Sequence, residues 1–413
     1  MAETEANKDI GVMIQQFFRK KNNSGYTLRW HEQIADIPKS AWDEMALPLE
    51  TPFLEWEWLN SIEISGSVTP RTGWQPCHLS LWREETLIAA APLYIKGHSY
   101  GEFVFDNQWA DLAYRLGIEY YPKLLGMTPF TPAVGYRFLI AEGEDEIEIT
   151  SIMVSEIDRF CKKSNLSGCN FLYVDPDWQP IIAQCGFTGW MHHSYIWSNK
   201  DFDNFDDYLA MFNSRQRKNI KRERRVVDKA GLIVKNLVGE DIPEQMYPYI
   251  YGFYSNTCDK FYWGSKYLTR QFFEKLYPNY SHRLMLTVAY EQDDEHTPVG
   301  MSFCIRKGEN LYGRYWGSWD EYDSLHFEAC YYKPIEWGIG EGIKMYDPGA
   351  GGSHKRRRGF PATANYSMHR FYDLRMSSIL NHYIGEMNAA TQEQIQAIND
   401  DLPFTKKEVK LEI

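Results

Sequence analysis

The chain has 413 residues, of which 44% are hydrophobic and 15% aromatic, and its 56 acidic against 44 basic side chains give a formal charge of −12. That length favours two cores over one, the aromatic content excludes a disordered chain, and the acidity argues against general affinity for nucleic acid. The seven cysteines (77, 161, 169, 185, 258, 304 and 330) form no CxxC pair and are odd in number, so neither a disulfide framework nor a structural zinc site is expected.

In chain order, residues 1–25 read as a polar leader without the apolar core of a signal peptide. No run of about 18 apolar residues occurs, so no membrane span is expected and the location is read as cytoplasmic. Residues 26–199 form a first half. It holds a helical pattern in TPFLEWEWLNSIEISG, then a hairpin of CHLSLWR and LIAAAPLYIK, then a segment rich in Gly, Tyr and Trp. There, Arg71 and Trp74 precede a polar aromatic group of His98, Tyr100, Asp106, Trp109 and Asp111, which could line a cleft between domains or glue them together.

Residues 200–385 form a second half, and residues 386–413 read as a solvated tail. The second half opens on a basic amphipathic helix with Ser214 as N-cap, in which Arg215, Arg217, Lys218, Lys221, Arg222, Arg224 and Arg225 outnumber Glu223. Arg217, Lys221 and Arg224 share one face at i, i+4 and i+7, while Ile220 and Val227 face a core. Such a stripe suits phosphates, although a solvated surface helix would carry the same charges. The strand LIVKNLV and helices through Phe273 follow, then three strands (LMLTVAYE, PVGMSFCIRK, NLYGRYWG), a helix LHFEACYYKPIEWGIGEG broken at Pro334, and a last strand KMYDPG.

Residues 311–369 combine aromatic, basic and acidic side chains more densely than any other segment. Strict alternation in LYGRYWG places Tyr312, Arg314 and Trp316 on one face, where the arginine could grip a carboxylate or phosphate. Glu328 lies in an apolar stretch near His326, and burial, or pairing with a cation such as Arg314, would suit it to accept a proton from an attacking amine. The glycine-rich turn DPGAGGSHKRRRG offers backbone N–H groups with His354 and Lys355, a nest for an oxyanion in which His354 could shuttle a proton. The same residues would also make a flexible basic loop, or a buried Glu–Arg strut.

From about Pro52 to Phe371, through TPFLEWEWLNSIEISG, SRQRKNIKRERR, WGSKYLTRQFF and the closing motifs above, the sequence resembles the FemAB-like family of predicted N-acyltransferases. The resemblance implies an α/β (α+β) fold of tandem GNAT-like acyltransferase domains with mixed, mainly antiparallel sheets. It also implies a cytosolic enzyme that transfers an acyl or aminoacyl group to an amine. In the Fem ligases the donor is an aminoacyl-tRNA, the acceptor is an amine on a cell-wall precursor, and a similar basic helix lies near the tRNA or nucleotide substrate. By the same resemblance Trp263, Lys266, Tyr267 and Arg270 belong to a lid or substrate wall. The family often has an acidic residue before the histidine of the closing turn, where this chain has Ser353.

The expected site therefore comprises Glu328, His354 and Lys355 as catalytic groups. Arg215, Arg217, Lys218, Lys221, Arg222, Trp263, Lys266, Tyr312, Arg314, Trp316 and His326 would bind substrate. No metal and no separate cofactor are expected. The Q/R-x-x-G-x-G/A turn that cradles the pyrophosphate of acetyl-CoA is missing from both halves, and GIGEG at 338–342 reads as a helix end. A conventional acetyl-CoA site is thus not expected, and the sequence does not name the donor between aminoacyl-tRNA and acyl-CoA. The 215–225 helix makes tRNA a partner if it grips donor phosphates, and DNA is not expected as a partner. A catalytically silent protein that binds an anionic glycan, nucleotide or tRNA is the competing class.

Overall fold

A computed structural model of the protein describes residues 20–21, 25–260 and 266–405. They form two units of mixed α/β structure. One takes the chain up to His192 together with Asn365–Thr391, and the other takes His193–Ala364 with the segment from Gln392.

The first unit carries two sheets. In the first, β1 (Lys20–Lys21), β2 (Tyr26–His31), β4 (His78–Arg83), β5 (Thr86–Ala91) and β8 (Leu139–Ile140) lie side by side in that order. The second has the order β10 (Thr188–Tyr195), β17 (Ala362–Phe371), β9 (Gly168–Phe171), β7 (Lys123–Gly126), β6 (Tyr94–Lys96) and β3 (Trp74–Pro76). The hairpin expected from CHLSLWR and LIAAAPLYIK forms as β4 and β5, with Ser80 opposite Ala90. LIAAAPLYIK, however, is two strands in two sheets. Pro92 has no N–H to give to a ladder, so the chain leaves the first sheet there and Tyr94 begins β6 in the second. Helix Glu146–Lys163 buries Ile149, Met153, Ile157 and Phe160 at helical spacing and is capped by Asp145, whose carboxylate accepts from the Glu148 N–H at 2.9 Å.

The second unit is built on one six-stranded sheet, in the order β11 (Trp197–Ser198), β16 (Met345–Asp347), β15 (Asn310–Ser318), β14 (Asp294–Lys307), β13 (Leu284–Glu291) and β12 (Leu232–Val238). The strands β13 to β15 are an antiparallel meander, as their two short polar connections predict, and β12 pairs antiparallel with β13 after a long connection that holds helices Met246–Asp259 and Arg270–Lys275. β16 joins β15 in parallel, with Leu311 opposite Tyr346. Parallel neighbours need a crossover, and the helical stretch Leu325–Gly340 supplies it.

That crossover holds a local irregularity. Leu325–Phe327 and Lys333–Gly340 are α-helical, but Glu328–Tyr332 between them is a π turn. Pro334 lacks an N–H and its ring crowds the carbonyl four residues earlier, so an α-helical bond to Cys330 cannot form. The freed Cys330 carbonyl accepts from the Tyr346 hydroxyl at 2.6 Å, and the neighbouring Ala329 carbonyl accepts from Ser302 Oγ at 2.7 Å.

The basic helix runs over Ser214–Lys229, and its cap is Asn213 rather than Ser214: the Asn213 side chain accepts from the Gln216 N–H at 3.0 Å. β16 is not the last strand, since β17 follows and pairs antiparallel with β9. Residues 386–400, read as tail, continue helix Leu374–Asp400, which is mostly exposed at its end but buries Ile395.

Candidate functional site

Within the second unit a cavity of about 270 Å³ opens against the sheet, walled by β14, β15, the π turn and the glycine-rich turn after β16. The alternation expected for LYGRYWG fails inside it. Gly313 lies opposite Cys304 and Tyr315 opposite Phe303, so Arg314 is an extra residue and β15 bulges there. Past the bulge the facing reverses. Gly313 and Trp316 stand opposite Cys304 and Ser302 on the cavity side, while Tyr312, opposite Ile305, is buried on the other.

Arg314 does not meet Glu328. Its Nη2 donates to Asp347 Oδ2 at 3.0 Å, and Asp347 Oδ1 accepts from the Gly349 N–H at 2.8 Å, an ion pair that ties the bulge to the start of the glycine-rich turn. Glu328 points instead at the basic helix, where Nε and Nη2 of Arg224 donate to its carboxylate at 3.0–3.2 Å, while Nη2 and Nη1 of the same arginine donate to Glu336 at 2.9 and 3.1 Å. Burial raises the Glu328 pKa while Arg224 opposes the rise. Glu328 is absent from the cavity lining, so two of the three expected catalytic groups, His354 and Lys355, are brought together and the third is set apart.

His354 Nε2 lies 2.8 Å from the Tyr331 hydroxyl, and its ring is 5.5 Å from that of His326, which in turn stands 5.6 Å from Trp316. The ring sits over Gly352 so closely that a Cβ there would fall 2.8 Å from it, and the φ of +83° at Gly352 favours glycine independently. Burial, then the charges of Arg358 and Lys355, pull His354 down to about 4. His326, more deeply buried and beside His354, is pulled to about 3. Both rings are therefore neutral at pH 7. Lys355 Nζ donates to the carbonyls of Gly349 at 2.6 Å and Ala350 at 3.2 Å, and burial lowers it to about 8, leaving it mostly charged at pH 7. An ammonium has three hydrogens, so one remains for the cavity.

The remaining expected residues scatter. Arg215, Lys218 and Arg222 line a separate groove with Arg356 and Arg357, Lys221 lines a third depression beside Arg224 and Arg225, and Arg217 lines none of these. Arg224 turns inward to Glu328 and Glu336, so the stripe Arg217, Lys221, Arg224 is not a free cationic face. Lys266 pairs with Asp259 at 2.7 Å on the surface, and Trp263 lies outside the described residues.

In the first unit Asp106 is buried in a bond to Lys123 at 2.7 Å, with Glu102 at 2.8 Å on the same ammonium, whereas Tyr100 and Asp111 are exposed. Tyr331 and Asp347 were not singled out by sequence reasoning. Helical spacing gives no reason to pair Tyr331 with His326, five residues away, but a π turn brings such positions together, and their rings lie 5.5 Å apart. No group of three or more metal-ligating side chains occurs among the described residues, nor is any helix there long and apolar enough to cross a membrane.

No curated protein matches the chain. Among solved structures, FemX is similar at 12% identity and a TM-score of 0.49, covering 83% of this chain and 98% of that one. L-PGS from Bacillus licheniformis is similar at 9% identity and a TM-score of 0.49, covering 81% and 97%. A tandem GNAT protein from the clavulanic acid biosynthesis pathway is similar at 10% identity and a TM-score of 0.40, covering 83% and 98%. At the level of sequence, residues 33–406 match the FemAB-like family, described as peptidoglycan biosynthesis/recognition. The match spans most of the chain, which therefore belongs to the FemAB-like family.

Proposed function

We propose that the protein is an N-acyltransferase that moves an activated acyl or aminoacyl group from an ester donor to an amine in the Tyr331–His354–Lys355 cavity. The observation that carries this reading is the His354 imidazole, 2.8 Å from the Tyr331 hydroxyl and beside the buried Lys355 ammonium, in a space of about 270 Å³. In the tautomer that donates from Nε2 to the Tyr331 oxygen, Nδ1 keeps a lone pair. As the amine attacks the acyl carbon it loses a proton to Nδ1. The third hydrogen of Lys355 faces the oxygen on which negative charge develops. The bond to the donor then breaks, and the proton moves from His354 to the departing alkoxide. An imidazole protonated at pH 7 could not begin this sequence, so the downward pull on His354 favours it.

An aminoacyl ester of tRNA is the favoured donor. Membership of the FemAB-like family supports it, as does the missing pyrophosphate turn of CoA enzymes. The acceptor is an amine, in keeping with a family described by peptidoglycan biosynthesis. The test is transfer of a radiolabelled aminoacyl group from tRNA, and of an acetyl group from CoA, to a panel of amino sugars and peptides bearing free amines. His354→Gln is expected to lower kcat by about 100-fold at unchanged stability, the low end for loss of a general base. Turnover equal to wild type in that variant would remove His354 from the chemistry. Transfer from CoA alone would overturn the donor assignment.

A further inference from the structure

The Ser353–Arg358 turn walls two spaces at once. His354 and Lys355 face the cavity, whereas Arg356 and Arg357 face a groove of about 640 Å³ on the other side. Arg215, Lys218 and Arg222 of the basic helix complete that groove, and Asp401, 3.7 Å from Arg356, is its one carboxylate among the described residues. Five cations around one acid repel each other unless an anion lies among them. The space has room for about twenty water molecules, far more than a single tetrahedral anion displaces.

The turn is strapped to the helix by bonds that end on the cavity residues. Gln216 Nε2 donates to the Arg357 carbonyl at 2.7 Å. Glu223, buried on the same helix, accepts from Arg358 Nη2 at 2.9 Å, and Nη1 of that arginine donates to the His354 carbonyl at 3.0 Å. Glu223 also accepts from the Tyr332 hydroxyl, and Tyr332 adjoins Tyr331, the partner of His354 Nε2. Gly352 and Gly359, with φ of +83° and +76°, bound the turn and give it two swivels.

We propose that the groove binds a ligand carrying several adjacent phosphate groups, and that binding there fixes the Ser353–Arg358 turn and with it the placement of His354 and Lys355. Coupling of this kind bears on catalysis only if the cavity is where the acyl group moves, yet it can be measured without turnover, so failure of either reading is seen separately.

The full chain is titrated with inorganic tripolyphosphate, and in a second arm with a short RNA oligomer, at low and moderate salt. His354 is followed by its rate of modification with diethyl pyrocarbonate, read by mass spectrometry of its peptide. Binding is expected to weaken about tenfold or more in the Arg356→Gln/Arg357→Gln variant and to fall with salt. Both side chains are outside the core, so the variant is expected to fold. The His354 rate is expected to change about threefold on binding in the wild type and not in the variant, a shift of a few tenths of a decade in its environment. Glu223→Gln is expected to keep the binding and lose the response. Tighter binding of RNA assigns the phosphates to a nucleic acid, and tighter binding of tripolyphosphate assigns them to a small ligand. Absence of binding in both arms, equal binding in the arginine variant, or binding that leaves the His354 rate unchanged would overturn the proposal.

Discussion

Replacing Glu328 by glutamine separates a structural carboxylate from a catalytic one. The side chain is almost wholly buried and takes a two-pronged contact from Arg224 at 3.0–3.2 Å. A hydrogen bond to a charged partner contributes about 1.5–3 kcal/mol, and removing one member of a buried ion pair costs about 3–5 kcal/mol when the other is left stranded. Arg224 is not stranded here. It keeps Glu336 at 2.9 Å, and its side chain retains 22% of its exposure, so water shares its charge. Glutamine also keeps one acceptor oxygen. The lower range therefore applies, and a loss of about 2 kcal/mol lowers Tm by about 4–8 °C for a unit of this size. Differential scanning calorimetry with urea unfolding measures the loss, and single-turnover transfer assays measure the chemistry. Glu328→Gln is expected to show the Tm shift with a transfer rate within about twofold of wild type, since the carboxylate does not line the cavity. A fall of about 100-fold in rate at unchanged Tm would refute the reasoning and return Glu328 to the role of proton acceptor.

Tyr331→Phe removes the hydroxyl 2.8 Å from His354 and is expected to lower kcat about five- to tenfold, the value of one ordinary hydrogen bond, with little change in stability; an unchanged kcat would show that the tyrosine does not orient the imidazole. Gly317→Ala would set a Cβ 2.1 Å from the Phe253 carbonyl oxygen, where helix Met246–Asp259 crosses β15, and a backbone atom cannot rotate away. A loss of about 3 kcal/mol or more is expected from urea unfolding, and a wild-type midpoint would mean that the crossing is looser than drawn. His31 and His354 are pulled to about 4, and His326 and His369 to about 3, chiefly by burial, so each is neutral when folded and free to protonate when unfolded. Their contribution is complete above about pH 6.5 and is lost as pH falls toward 4, because the unfolded chain takes up protons in that window. The urea midpoint should fall between pH 7 and pH 5 with net proton uptake on unfolding, and a flat or rising midpoint would contradict the burial of these rings.

The meander of the second unit was legible because its strands are short apolar runs with polar connections, and local pattern alone specifies such neighbours. The glycine-rich turn was legible as a candidate because three nearby glycines precede His354 and four cations, and the structure places His354 and Lys355 on the cavity wall. Pairing across the fold was not legible. Glu328 and Arg314 looked suited to each other in sequence, but Arg224, 104 positions before Glu328, takes the carboxylate, and Asp347 takes the guanidinium. Tyr312 was placed on the site face by strict alternation, and one inserted residue at Arg314 reversed it.

Sequence by itself determined the family, the mixed α/β composition, the basic helix and the segment that walls the cavity, because these depend on local pattern and on motif. Only the tertiary structure decided which face Arg314 and Trp316 present, since a bulge changes parity without leaving a trace in residue type. It alone joined Tyr331 to His354, since that contact is made between the helical crossover and the turn after β16 and not within either segment. It alone split the basic residues between a buried strut at Arg224 and an open groove at Arg215, Lys218 and Arg222, because a cation's role depends on whether a carboxylate from a distant segment reaches it first.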